Sequence, residues 1–162
     1  MSSSRRTFFK RAIGMGVVSA AVSRAAGAIA QSPGVRGFDH VAIPMQNVDA
    51  MLAFYRSLGF TVNEGAQVCS VYFGTQMINL HQPALWQGAA FTLRAPAARP
   101  PCGDFCFVWE GTGDSLKALL DRIGAKVETG PVNRQGGRQK TGSSTYIRDP
   151  DQNLLEFIVY PA

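Results

Sequence analysis

The C-terminal part of the chain carries one carboxylate inside an apolar run. Glu156 stands in "LLEFIVY", where every other residue is apolar or aromatic. The run is short, rich in branched and aromatic residues, and preceded by the turn signal "DPD", so it is predicted to be a buried strand. A buried carboxylate must pair with a cation, accept several hydrogen bonds or bind a metal ion, because an unpartnered buried charge is costly.

Three further polar residues interrupt apolar segments elsewhere. They are His40 in "DHVAI", His81 in "INLH" and Asp104 in "DFCFV". Together with Glu156 they offer imidazole nitrogens and carboxylate oxygens, which divalent metals take as ligands. The sequence therefore predicts a metal site made of these four residues. The alternatives are a core histidine at position 40, a solvated strand end at 81, a turn cap at 104 and a salt bridge at 156.

The order of predicted elements occurs twice along the chain. The first half has a strand in "GFDHVAIPM", a helix with apolar residues at helical spacing between Met51 and Leu58, and three short strands. The second half has a strand in "DFCFVWE", a helix between Leu116 and Ile123, and three strands that end in "NLLEFIVY". The sequence predicts an α+β fold of two βαβββ units, at residues 37–83 and 104–161, joined by a linker at 84–103. Paired around a cleft, such units bring matching strands together.

The N-terminus accounts for the positive charge of the chain. The formal net charge is +5, yet the first 30 residues hold five basic residues and no acidic one, which leaves the remainder neutral. A nucleic-acid role based on a basic surface therefore loses its support. "SRRTFFK", a short apolar stretch and an A-x-A exit indicate a twin-arginine signal peptide at residues 1–30. We expect a bacterial periplasmic protein of residues 31–162 without a membrane anchor after cleavage.

The sequence does not decide whether two of the three cysteines form a disulfide. Cys69, Cys102 and Cys106 are an odd set, so at least one thiol has no partner within the chain. A disulfide between Cys102 and Cys106 is one option in an oxidising compartment, and buried thiols are the other.

Several long segments of the chain resemble the vicinal oxygen chelate superfamily. They are "DHVAIPMQNVDAMLAFYRSLGF", "FGTQMINLHQP" and "RDPDQNLLEF", and the resemblance covers roughly residues 37–161. This superfamily includes glyoxalase I, fosfomycin- and bleomycin-resistance proteins, methylmalonyl-CoA epimerase and extradiol dioxygenases. Within it, the chain looks most like the glyoxalase-domain-containing-protein-5-like, or "virulence protein", group.

The resemblance implies a divalent metal near the axis that relates the two units. His40 matches the first-strand histidine of the family, and Glu156 matches its last-strand glutamate. The place of a second histidine holds Asp104 or lies beside it, which favours harder ions such as Mn²⁺, Fe²⁺ or Mg²⁺ over Zn²⁺ and leaves Ni²⁺ a candidate. The fourth ligand of the family aligns with Asn79, and His81 two residues later is the candidate replacement.

The resemblance also implies the chemistry. We expect a metal-dependent lyase, isomerase or dioxygenase that acts on a small oxygenated molecule, with Glu156 and His81 as candidate catalytic acid–base groups. Arg134 and Arg138, in the polar segment "NRQGGRQKTGSS", are candidate anchors for a substrate anion. Relatives commonly pair, so a homodimer is expected. The alternative is a non-enzymatic protein that binds a drug or another small molecule in the cleft.

Overall fold

The computed structural model describes residues 34–161, and their strands form two four-stranded sheets. The predicted signal peptide at residues 1–30 lies outside this range. The first unit comprises β1 (His40–Pro44), α1 (Val48–Ser57), β2 (Thr61–Asn63), β3 (Val68–Phe73) and β4 (Gln76–His81). After the short helix α2 (Pro83–Trp86), the second unit comprises β5 (Asp104–Val108), α3 (Gly113–Arg122), β6 (Val127–Gln135), β7 (Thr141–Arg148) and β8 (Leu154–Val159). The predicted α+β fold of two βαβββ units is confirmed.

The two sheets share one strand order. The first runs β1-β4-β3-β2 and the second β5-β8-β7-β6. Strand β1 is parallel to its neighbour β4, and β5 is parallel to its neighbour β8, while all other neighbouring strands are antiparallel. In β1 and β4, Ala42 lies opposite Asn79. In β5 and β8, Cys106 lies opposite Glu156. Asn79 is therefore the positional counterpart of Glu156.

One face of each sheet is covered by its helix. The buried residues of α1 are Met51, Leu52 and Tyr55, and those of α3 are Leu116, Leu119 and Leu120. This spacing puts the apolar residues of each helix on a single face, which packs on the alternate apolar residues of the strands. The opposite face of each sheet carries the other alternate residues of the strands, both polar and apolar, because successive strand residues point to opposite sides.

An aromatic cluster joins the cores of the two units. The Phe107 ring of the second unit lies 5.2 Å from Phe60 and 5.1 Å from Phe73 of the first, measured between centroids. On its own side, Phe107 lies 5.6 Å from Phe157. Tilted and edge-on aromatic pairs at such distances are favourable beyond the area that they bury. The two units thus share one hydrophobic core.

Two buried aspartates in the turn between β7 and β8 add polar contacts between the units. Asp149 accepts hydrogen bonds from the hydroxyl of Tyr55 in α1, at 3.1 Å, and from the backbone and side-chain nitrogens of Asn153, each at 2.8 Å. The side-chain oxygen of Asn153 in turn accepts from the backbone nitrogens of Cys102 and Gly103, immediately before β5. This network satisfies groups that would otherwise be buried without partners.

The second aspartate of the turn holds the start of the first helix. Asp151 accepts hydrogen bonds from the backbone nitrogens of Gln46, at 2.5 Å, and Asn47, at 2.9 Å. It also accepts from the side-chain nitrogen of Asn47, at 2.7 Å. A carboxylate at the N-terminus of a helix satisfies free N–H groups and complements the helix dipole. The second unit thereby fixes where α1 begins.

The helices of residues 34–161 are short. None has the length and apolar character needed to span a membrane.

The pH dependence of stability tests the buried turn. Burial raises the pKa of the Asp149 carboxyl from its ordinary value of 3.8, with Asp151 adding to the rise and the hydrogen bonds from Asn153 and Tyr55 opposing it. A carboxyl whose pKa is raised by folding stabilises the folded state below its unfolded pKa, and that stabilisation is lost as pH rises through the folded pKa. We expect the free energy of unfolding of the wild type, relative to Asp149→Asn, to fall as pH rises above about 4.

Urea unfolding of both proteins at several pH values from about 4 to 8 provides the comparison. Glu110→Gln, at an exposed position just beyond β5, is the matched control and should run parallel to the wild type. A wild type that gains stability over the variant as pH rises would contradict the expected sign.

Candidate functional site

Glu156 lies on the open face of the second sheet and is held by two neighbouring side chains. Its Oε1 accepts a hydrogen bond from the hydroxyl of Ser144, at 2.5 Å. The thiol of Cys106, its register partner in β5, donates a second hydrogen bond. Among residues 34–161 no Lys or Arg forms an ion pair with it. Hydrogen bonds, one of the options that the sequence left open, therefore orient a carboxylate that is only half-buried.

Cys106 is a hydrogen-bond donor rather than a nucleophile. Desolvation, followed by the charge of Glu156, the hydrogen bond to Glu156 and the charge of Asp104, raises the pKa of the Cys106 thiol to about 12. The thiol therefore stays protonated at neutral pH, and a protonated thiol is a poor nucleophile. The three cysteines are all unpaired in residues 34–161, so the optional disulfide between Cys102 and Cys106 is not formed.

His40 and Asp104 line one cleft of about 270 Å³ between the first strands of the two sheets. Cys106 also lines it, and Phe105 and Phe107 form part of its apolar wall. The exposed His40 ring donates a hydrogen bond from Nδ1 to the carboxylate of Asp39, at 2.7 Å. The structure thus brings two of the four predicted ligands to the same opening.

His81 lies apart from this cleft. It pairs with Pro44 at the far end of β4, whereas His40 pairs with Met77, so the two histidines are separated by four residues, or about 13 Å, along the sheet. The ring of Phe91, from the segment after α2, covers His81 edge-on at 5.2 Å and leaves it 9% exposed. Burial lowers the pKa of His81 below 6.5, and a neutral imidazole is therefore expected at pH 7.

The predicted metal ligands are therefore spread over two sheets. Residues 34–161 contain no group of three or more His, Cys, Asp or Glu side chains placed to hold one ion. The donor types of His40, Asp104 and Glu156 suit a divalent metal, but their placement within this chain does not supply three ligands to one point.

The backbone of the β6–β7 hairpin comes close to the side chains of Ile158 and Tyr160. The backbone of Gly142 approaches Ile158 so closely that a Cβ there would lie 2.6 Å from Cγ1 of that side chain. The two predicted substrate anchors belong to this hairpin. Arg138 stacks over Tyr160, with its guanidinium carbon 5.0 Å from the ring centroid. Arg134 lies over Tyr146 at 5.7 Å and donates a hydrogen bond from Nε to the Tyr146 hydroxyl, at 3.1 Å.

Sequence reasoning missed three residues on the open face of the second sheet, namely Ser144, Tyr146 and Arg148 in β7. Tyr146 lies directly opposite Glu156 in the antiparallel pair, and Arg148 lies opposite Leu154. The sequence "SSTYIR" could have indicated them, because every second side chain of a strand lies on the same face. The sequence alone does not say which of the two sets shares a face with Glu156, since that depends on the register between β7 and β8.

Comparison with known proteins gives consistent results. A sequence model of the "Glyoxalase/Bleomycin resistance protein/Dioxygenase superfamily" matches residues 37–157. The chain is 36% identical to the glyoxalase domain-containing protein RDO1 of Mycosarcoma maydis over 127 residues, which are 78% of this chain and 69% of that protein. It is 33% identical to the virulence protein STM3117 of Salmonella typhimurium over 126 residues, 75% of this chain and 83% of that one.

Solved structures show the same similarity. The crystal structure of STM3117 superimposes with a TM-score of 0.70 at 29% identity, over 78% of this chain and 98% of that one. The integron cassette protein VCH_CASS1, from the mobile metagenome of V. cholerae, also has a TM-score of 0.70, at 31% identity, over 79% and 98% of the two chains.

Alkylation of Cys106 tests its contact with Glu156. Glu156→Gln removes a negative charge that raises the pKa of the thiol, so we expect a lower Cys106 pKa and faster reaction with iodoacetamide at pH of about 9. Below the pKa, the thiolate fraction rises about tenfold for each unit by which the pKa falls. Rates are measured by mass spectrometry in a Cys102→Ser background.

Glu110→Gln, an exposed glutamate just beyond β5, is the matched control and should leave the rate unchanged. An unaltered rate in Glu156→Gln would show that the two side chains do not interact in solution.

Proposed function

The chain belongs to the Glyoxalase/Bleomycin resistance protein/Dioxygenase superfamily, and from that premise we propose that it is an enzyme acting on a small oxygenated molecule. The observation that carries this proposal is the oriented Glu156 carboxylate on an open sheet face, with Tyr146 as its register partner in β7. Of the reactions known in the superfamily, the lyase and isomerase classes suit this pair better than dioxygenation, because they depend on proton transfer.

Glu156 acts as the general base in this proposal. A base has to lie within hydrogen-bond reach of the proton that it removes, and the bonds from Ser144 and Cys106 fix the direction of the carboxylate. A substrate lying on the sheet face presents to it a C–H bond next to a carbonyl. Glu156 takes that proton, and the electron pair of the C–H bond moves towards the carbonyl oxygen.

Tyr146 stabilises the oxygen on which this charge develops. Its hydroxyl oxygen already accepts a hydrogen bond from Nε of Arg134, so its own proton remains for donation to the substrate. Directly opposite residues of an antiparallel pair have Cβ atoms about 5 Å apart, so the base and the donor project from neighbouring positions on one face of the sheet. A donor fixed beforehand at the site of developing charge is an effective source of catalysis.

The sequence predicts that a divalent ion, Mn, Fe, Ni, Mg or Zn, takes part. His40, Asp104 and Glu156 suit such an ion by donor type, but residues 34–161 do not group three ligands. The proposed proton transfer is therefore assigned to side chains of this chain. The metal content of the purified protein is measured alongside activity.

A second candidate is a protein that binds a drug or another small molecule without converting it. The specific observation that favours it is the cleft lined by His40 and Asp104, whose wall includes the apolar side chains of Phe105 and Phe107. A cleft of this kind needs no metal to bind a ligand. Turnover separates the two candidates.

Deuterium exchange tests the proposed enzyme. The protein is incubated in D₂O with a panel of hydroxy-ketones and oxo-acids, and exchange next to the carbonyl is followed by NMR with and without a chelator. We expect catalysed exchange that falls by about 10²-fold or more in Glu156→Gln, as is usual for loss of a general base. Metal content is determined on both proteins by elemental analysis.

Glu110→Gln again serves as the matched control and should retain full exchange. Exchange that survives unchanged in Glu156→Gln would contradict the assigned base. Stoichiometric ligand binding without exchange would favour the binding protein.

We also propose that residues 1–30 direct export to the bacterial periplasm by the twin-arginine route and that the mature chain forms a homodimer. The paired arginines within an acid-free N-terminus support export. Tyr72, 38% exposed, and Val108, 43% exposed, leave apolar surface on the open faces of the two sheets, which supports pairing. The proposed partners are small molecules and a second copy, with no nucleic acid.

Substitution of the arginine pair tests the export route. Changing both Arg5 and Arg6 to Lys keeps the charge but removes the pair that defines the twin-arginine signal. We expect the periplasmic fraction of the protein, measured by cell fractionation and immunoblotting, to be lost in this double variant. Arg11→Lys, outside the motif, should be exported normally. Unchanged export of the double variant would point to the general secretory route.

A further inference from the structure

A second opening lies on the same sheet face as Glu156. It has a volume of about 300 Å³. Its lining residues are Glu128, Thr129, Arg134, Tyr146, Arg148 and Leu154. Two of these are arginines, and they come from the adjacent strands β6 and β7. The opening is therefore bordered on two sides by planar groups that recognise carboxylates.

Some nitrogens of each guanidinium group donate hydrogen bonds to the protein, and these bonds hold the group in place. Arg134 donates from Nε to Tyr146 and from Nη1 to the backbone oxygen of Asn133, at 3.1 Å in both cases. Arg148 donates from Nη1 to the backbone oxygen of Gln152, at 2.9 Å. Within residues 34–161 the Nη2 atoms of both arginines make no hydrogen bond to protein. Both groups are thus oriented and retain N–H donors for a ligand.

The charges of the lining residues balance a single negative group. Two arginines face one glutamate, Glu128, whose Oε1 lies 4.0 Å from Nε of Arg148. This ion pair is long and more than a third exposed on both sides, so it neutralises Arg148 only weakly. The opening keeps a net charge of one positive unit, which suits a monovalent carboxylate.

The opening lies close enough to Glu156 for one small molecule to contact both. Tyr146 lines the opening and lies opposite Glu156, and Arg148 lies opposite Leu154, two residues from Glu156 on the same face. Diagonal neighbours across an antiparallel pair are about 7–8 Å apart. A molecule of a few carbon atoms spans this distance, with its carboxylate between the arginines and its reacting carbon beside Glu156.

We propose that Arg134 and Arg148 form a carboxylate-binding subsite and that the substrate is a short oxo- or hydroxy-acid. This inference rests on the proposed function for the reacting end of the molecule, while the subsite itself is independent of catalysis. Arg134 has two roles in it, because it contacts the carboxylate and also orients the Tyr146 hydroxyl. Arg148 has only the first, and it is therefore the cleaner residue to substitute.

Binding of a matched pair of ligands tests the subsite without any need for turnover. The probes are 2-hydroxybutyrate and 2-hydroxybutyramide, which differ only in the carboxylate. Each is titrated to about 10 mM, which covers dissociation constants in the millimolar range, while the arginine Nε–H signals are followed by NMR. We expect the acid to shift the Arg134 and Arg148 signals and the amide to shift them little.

Three variants complete the test. Arg148→Gln and Arg134→Gln should each weaken binding of the acid by about tenfold or more, the loss expected for one charge-assisted hydrogen bond. Arg122→Gln, at the exposed end of α3, should bind the acid as the wild type does. Inorganic phosphate is titrated as well, and a clear preference for it over the acid would overturn the assignment to a carboxylate.

Ligand binding tests the subsite, whereas deuterium exchange tests the proposed base, so the two can fail separately. Equal binding of acid and amide, no shift with either, or unchanged affinity in both subsite variants would overturn the subsite. Glu156→Gln removes a nearby negative charge and should bind the acid at least as well as the wild type. Exchange that persists in Glu156→Gln would overturn the proposed base while leaving the subsite intact.

Discussion

The buried turn between β7 and β8 is the constraint on which the site depends. Its two carboxylates reach across to the first unit, where Asp151 fixes the start of α1 and Asp149 bonds to Tyr55. Burying such groups is tolerable only because each accepts several hydrogen bonds. Strand β8 begins three residues after Asp151, so the contacts that join the units also set the position of Glu156.

The open face of the second sheet combines one carboxylate and two arginines, all held by hydrogen bonds. Glu156 stands on the central strand β8, between β5 and β7, and takes a hydrogen bond from each neighbour. The arginines project from β6 and the end of β7, where hydrogen bonds to Tyr146, Asn133 and Gln152 orient their guanidinium groups. Polar groups that strands and hydrogen bonds hold in this way are set in place before a ligand arrives.

The fold could be predicted from local patterns, and so could the presence of one carboxylate within an apolar strand. Hydrophobic periodicity, repeated in the same order, indicated two βαβββ units, and a lone Glu156 in an apolar strand drew attention by its cost of burial. Tyr146 and Arg148 could not be predicted, because strand register depends on contacts far apart in the chain. The contact of Phe91 with His81 could not be predicted either, because it depends on the path of an irregular segment. The aspartates of "DPD" have the residue types of an ordinary turn, and their hydrogen bonds to the other unit leave no mark in the local sequence.

The shared strand order of the two sheets has a consequence for how charge is distributed. In the first sheet, the register places Asn79, Ser70 and Tyr72 where the second has Glu156, Tyr146 and Arg148. Ser70 bonds to Asn79 from the directly opposite position, at 2.8 Å, whereas Ser144 bonds to Glu156 from the diagonal position, where the first sheet has Val68. At these matching positions one copy of the duplicated unit thus has neutral side chains while the other carries ionic groups, so two sheets of the same strand order present an electrically one-sided surface.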